Sequence, residues 1–96
     1  MNISGEELDD LEILVRVTSA RRLAKNGIAR RVRLDAGASL SEVARAVEVS
    51  KATIHKWETG QRSPTGVNGV RYFMILSALA PATRASQRRL NHAGPE

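Results

Sequence analysis

The chain of 96 residues contains no cysteine. That absence excludes a disulfide framework, a thiolate metal site and a cysteine nucleophile together, and it suits a reducing compartment. Aromatic residues are nearly as scarce, at 3%: Trp57, Tyr72 and Phe73. A core must therefore be built from leucine, valine, isoleucine and alanine, which suits packed helices. Histidine occurs only at positions 55 and 92; without cysteine, that pair gives no metal-ligand pattern, and neither a metal nor a cofactor is expected. No apolar run approaches the roughly 20 residues of a membrane-spanning helix. The opening MNISGEELDD is acidic, where a secretory signal would begin basic and then turn apolar. The expectation is a soluble, cytoplasmic protein with no membrane contact. Alternating β-branched runs, internal repeats and low-complexity tracts are also missing.

What is present is helical periodicity and positive charge. Hydrophobic residues make up 42% of the chain and the formal net charge is +5. One domain of this size can bury a core and fold alone, with little stability to spare. The charge is unevenly placed. Residues 1–18 set Glu6, Glu7, Asp9, Asp10 and Glu12 against Arg16, and residues 19–36 set Arg21, Arg22, Lys25, Arg30, Arg31 and Arg33 against Asp35. An acidic leader thus gives way to a basic segment. Arginine outnumbers lysine 12 to 3, which favours bidentate contact with phosphate or guanine; arginine-rich codon usage gives the same ratio without function. The pairs Arg21-Arg22 and Arg30-Arg31 are either solvated faces or phosphate contacts.

Three organisational segments follow: an acidic N-terminal helix in 1–18, packed on the domain or at a dimer contact; a main domain in 19–80; and a basic tail or short helix in 81–96. Ser4 with Glu7 reads as a capping box for a helix from about Gly5 to Val17, with Leu8, Leu11, Leu14 and Val15 as one apolar stripe that either covers the core or forms part of a dimer contact, the core being favoured. A second helix is expected from Ser19 or Ala20 to Ala36, using Leu23, Ile28, Val32 and Leu34, with Asn26-Gly27 able to break or kink it. Gly37 ends it. The last helix should cover about Val67 to Leu79, burying Val67, Val70, Phe73 or Met74, and Leu76 or Leu79, with Pro81 closing it.

The central block, GASLSEVARAVEVSKATIHKWETG, is the most informative. Ser39 with Glu42 forms another capping box, and Val43, Ala44 and Val47 share one face. Glu48-Val49 makes a short turn, Ser50 caps the next helix, and Gly60 stops it. Two short helices joined in this way can stand at about a right angle, so that the second projects. The major groove of B-DNA is wide enough to admit such a helix. Close approach of the pair needs a small residue, supplied by Ala44, and apolar anchors, supplied by Val43, Val47, Val49, Ile54 and Trp57. Short or polar residues must open the projecting helix; Lys51, Ala52, Thr53, His55 and Lys56 meet that need. Trp57 shares the helical phase of Ile54, which favours core over base stacking. Arg62 sits in a loop that can reach the DNA backbone.

This run resembles the lambda-repressor/Cro-like, or Xre-type, helix-turn-helix family. The matching residues are Arg33-Leu34, Gly37, Ser39 to Ala44, Val47, Val49-Ser50, Thr53-Ile54, Trp57 to Gly60 and Arg62 to Pro64. The resemblance implies an all-α bundle of about five to six helices, with the helix near Ser39–Val47 lying across the groove and the helix near Lys51–Thr59 entering it. It implies that Lys51, Ala52, Thr53, His55 and Lys56 face bases or phosphates, that Ser50 caps and can touch a phosphate, and that Glu58 pairs with Arg33. It implies a homodimer on double-stranded DNA, with recognition helices about 34 Å apart. The chain departs from the family pattern twice. Glu48 holds a turn position often occupied by glycine; a left-handed residue there costs on the order of 1 kcal/mol, and a reshaped turn is expected. Leu40 holds a position where glutamine often touches DNA, so Ser39 or Ser41 must supply that contact.

The function expected is a sequence-specific transcriptional regulator, of repressor or Cro-like type, acting by operator occupancy in the nucleoid. The alternatives are an antitoxin-type DNA-binding protein with a protein partner, or a recombination or architectural accessory factor. No nucleophile–base pair, phosphate loop or metal spacing appears, so no catalytic residue and no enzyme activity are expected.

Overall fold

A computed structural model describes the backbone of residues 9–92 and the side chains of residues 9–81. Within these limits the fold is all-α: α1 (Asp10–Lys25), α2 (Ile28–Asp35), α3 (Leu40–Val47), α4 (Lys51–Glu58) and α5 (Gly66–His92). α5 packs against α1, α2 and α3; α3 pairs with α4, and α1 also touches α2 and α4.

The ends of these helices follow from local chemistry. Asp9, Ser39 and Ser50 cap α1, α3 and α4, each accepting from the amide three residues on. At Ser39 the box is reciprocal: Glu42 N–H donates to Ser39 Oγ at 3.0 Å and Ser39 N–H donates to Glu42 Oε1 at 2.8 Å. That bond holds the Glu42 carboxyl below its ordinary range. The Ser4 box lies outside the described residues, and within them Asp9 is the cap of α1.

The turn after α3 keeps its left-handed form rather than being reshaped. Glu48 itself adopts φ 71°. Val49 N–H donates to Ala44 O at 3.0 Å and Glu48 N–H to Arg45 O at 3.3 Å, the paired bonds of a Schellman ending. Two satisfied carbonyls and a half-buried Val49 packed on the core offset the cost of the backbone conformation.

Three apolar-face expectations need correction. The expected break at Asn26-Gly27 is real, but it ends α1 rather than kinking a second helix; α1 runs past Val17 to Lys25. Its leucine stripe does not face the core: Leu11, Leu14 and Val15 are exposed. The buried face holds Val17, Ala20 and Ala24, roughly opposite at 100° per residue. Small alanines let α1 approach its neighbours closely, and bulky leucines are excluded from that seam. In α2, Val32 is buried while Ile28 and Leu34 are exposed. In α5, Val70, Tyr72 and Leu76 are buried, whereas Val67 and Met74 are exposed. α5 approaches α1 at Gly69, where a Cβ would stand 3.3 Å from Val17 Cγ2 and from the Pro64 carbonyl carbon. Pro81 does not close the helix; α5 carries it internally and continues to His92. Proline removes one amide bond and crowds the carbonyl four residues earlier, a local loss that the residues following it outlast. The side chains of Arg84, Arg88, Arg89 and His92 lie outside the described residues.

The core joins Ala20, Ala24, Ala29, Val32, Val43, Ala44, Val47, Ile54, Trp57, Tyr72 and Leu76. Tyr72 lies against Trp57, ring centroids 4.8 Å apart, and is 1% exposed. Among the described residues its hydroxyl has no hydrogen-bond partner. Leaving such a group unsatisfied costs about 1–3 kcal/mol. Tyr72→Phe is therefore expected to raise stability by about 1 kcal/mol, or about 4–8 °C in Tm for a domain of this size. Burial also pushes the phenol well above its ordinary value. The unfolded chain then loses that proton first, so stability is full below about pH 10 and declines as pH rises further. Thermal melts of both proteins across alkaline pH test this; a lower Tm for the phenylalanine variant would show that the hydroxyl is bonded.

Candidate nucleic-acid interface

α4 is held from behind and open in front. Ile54 is fully buried and Trp57 nearly so, which puts Lys51, Ala52, His55 and Lys56 on the exposed side. The inner side is fixed further by charge. Arg33 on α2 donates to both carboxylate oxygens of Glu58, from Nε at 2.6 Å and Nη2 at 3.0 Å. Its Nη1 donates to Ala38 O at 2.9 Å. This is the pairing the family resemblance implies, and here it is buried on both sides. The hydrogen bond to Glu58 raises the guanidinium's affinity for its proton further. One side chain therefore ties α2, the link into α3 and the end of α4 together.

The open end of α4 is electropositive. The first turns of α1 and α3 carry acidic residues, Asp10 and Glu12 in one and Glu42 in the other. The first turns of α2, α4 and α5 carry none, and α4 begins with Lys51. A cation there opposes the helix dipole, and an external anion at the same end would relieve it.

The remaining candidates divide between free and engaged groups. Ser50 Oγ accepts from Thr53 N–H at 3.1 Å and lies 2.9 Å from Thr53 Oγ1. The Thr53 hydroxyl is thus occupied within the helix start, and Thr53 is half-buried. Ser39 Oγ is committed to its capping box, while Ser41 is exposed on the first turn of α3. Leu40 packs on the core. Arg62 is exposed in the loop after α4. That loop is anchored by Arg21, whose Nε donates to Pro64 O at 2.8 Å, a tie between positions 43 residues apart that no local pattern announces. Among the described residues no group of three metal-ligating side chains exists.

A family model described as a helix-turn-helix domain matches residues 29–92, more than half of the chain and nearly all of α2 through α5. No curated protein and no solved structure matches.

Proposed function

We propose, because this chain belongs to the helix-turn-helix domain family, that it is a transcriptional regulator that binds double-stranded DNA by placing α4 in the major groove. The observation that carries the reading is the exposed cationic face of α4, formed by Lys51, Ala52, His55 and Lys56 and braced by buried Ile54 and Trp57. In this reading Lys51, His55 and Lys56 face base edges or phosphates, Ala52 allows close approach, and the Thr53 methyl faces a thymine. Ser50, Ser41 and Arg62 lie toward the backbone, where contacts position rather than specify. The finer reading is a Cro-like or repressor-type protein that binds its operator as a homodimer in the cytoplasm and acts by occupancy. The exposed apolar stripe Leu11, Leu14 and Val15 supports a protein contact of some kind on α1.

Binding experiments test this directly. Selection from a random duplex pool supplies the preferred site, and a palindromic consensus supports the homodimer. Lys51→Ala/Lys56→Ala is expected to weaken binding at least tenfold. Its salt slope should fall by about 1 for each phosphate that is no longer neutralised, with Tm unchanged because both side chains are exposed. Equal affinity of the double variant at physiological salt would remove α4 as the reading element.

A further inference from the structure

A second cationic feature lies beside α4, where the loop that follows it meets α1. A cleft of about 200 Å³ runs between α1 and the loop after α4. Arg21 and Lys25 line it from α1, Arg62 and Ser63 from the loop, and Trp57 and Pro64 provide an apolar floor. Among the described residues no carboxylate lines it. Arg21 and Lys25 are four residues apart and therefore share one helix face. The hydrogen bond from Arg21 to Pro64 O holds its guanidinium against the loop and uses only Nε. Elsewhere, Arg16, Arg31, Arg33 and Arg71 each meet a carboxylate. Among the described residues, Arg21, Lys25 and Arg62 meet none, as is also true of Arg22, Arg30, Arg45, Lys51 and Lys56; what sets the three apart is that they line one cleft. Three like charges gathered on a partly apolar surface repel one another, and the described fold brings no acid to relieve them.

Size selects the class of ligand. Pockets that enclose drug-sized molecules run to about 300–1,000 Å³, so this cleft is too small for one. It has room for a tetrahedral oxyanion, since a water molecule takes about 30 Å³, and arginine's planar fork suits two oxygens at once.

We propose that this cleft is a phosphate site, and that it seats one backbone phosphate of the bound duplex between Arg21 and Lys25 on one wall and Arg62 on the other. The proposal rests on the reading of the chain as a duplex-binding protein and adds to it a clamp from α1. That helix lies entirely before residue 29, outside the family match.

The test compares the full chain with Lys25→Gln/Arg62→Gln, which removes a cation from each wall while leaving the Arg21 tie intact. A charge-matched control, Arg16→Gln/Arg31→Gln, removes two cations already paired with carboxylates. Duplex affinity is measured against salt concentration, on the selected site and on an unrelated sequence. The cleft variant is expected to lose about 0.9 from the salt slope, the contribution of one phosphate, and to weaken both duplexes by the same factor. An unchanged slope overturns the proposal, and so does a control that falls as far as the cleft variant. A second arm titrates the free protein with inorganic phosphate at constant ionic strength and follows the Trp57 indole and the 60–63 amides by NMR. Saturable shifts confined to these groups, absent from the cleft variant, support a phosphate site. Saturation together with an unchanged duplex slope assigns the cleft to a free phosphorylated ligand and overturns the backbone assignment. Should the unaltered chain bind no duplex at all, the regulator reading and the backbone assignment both fail, and an absent NMR response would overturn the phosphate site as well.

Discussion

Glu58→Ala is expected to cost about 3–5 kcal/mol, the usual penalty for removing one partner of a buried ion pair. Arg33 is 8% exposed and all three of its guanidinium nitrogens are engaged, two with Glu58 and one with Ala38 O. Without the carboxylate, a buried guanidinium faces apolar neighbours and cannot discharge itself near neutral pH. Small domains are stable by only about 5–15 kcal/mol, so the loss removes a large share of that margin and loosens the seating of α4. The pair itself is worth much less than the damage from breaking it, because both charges left water to form it. Arg33→Met/Glu58→Leu should therefore recover most of the loss. Urea denaturation of wild type, both single variants and the double variant checks this. A loss below about 1 kcal/mol in Glu58→Ala would show that the pair behaves as a solvated surface bridge.

Trp57→Ala is expected to cost a comparable ~3–5 kcal/mol. The ring is 4% exposed and lies beside Tyr72 with planes tilted by 45°, an aromatic contact that adds about 0.5–1.5 kcal/mol to area burial. Truncation would open a cavity at the junction of α1, α4 and α5 and leave Tyr72 without its neighbour. Ile54, the other anchor of α4, cannot turn to fill it, being β-branched and locked in its own contacts. Chemical denaturation decides the matter: an unaltered midpoint would mean the ring is not a structural anchor and is free to stack on a base.

The central helix pair is legible in the sequence because several independent local signals agree there. Ser39 with Glu42, Ser50, the Val43–Ala44–Val47 face, Ile54 with Trp57 and the Gly60 stop all specify the same two helices, and the structure has them. α1 misleads for a physical reason. Bulky residues at Leu11, Leu14 and Val15 make the louder periodic pattern, whereas the face that packs is marked by Ala20 and Ala24, whose burial sequence periodicity scarcely weighs. Tyr72 is hidden because a residue with a polar tip competes poorly with Phe73 and Met74 for a core position on paper, although the pocket beside Trp57 takes its ring. Pro81 reads as a stop because a proline's local penalty is visible in sequence while the remaining length of α5 is not. Within the candidate interface, exposure of Lys51, His55 and Lys56 is legible from helical phase. The engagement of Thr53 with Ser50 and of Arg21 with Pro64 depends on side-chain geometry that periodicity does not carry.

Glu48 has a further consequence. Its left-handed backbone is held in place by neighbours rather than by the conformational ease of the residue itself, and its side chain reaches outward to Arg71 on α5 at 3.2 Å. The hinge between the two motif helices is therefore stabilised in part by a surface contact that salt can weaken. Ionic strength would then act on this protein twice: directly, on any polyanion it holds, and inwardly, on how stiffly α3 sets the attitude of α4.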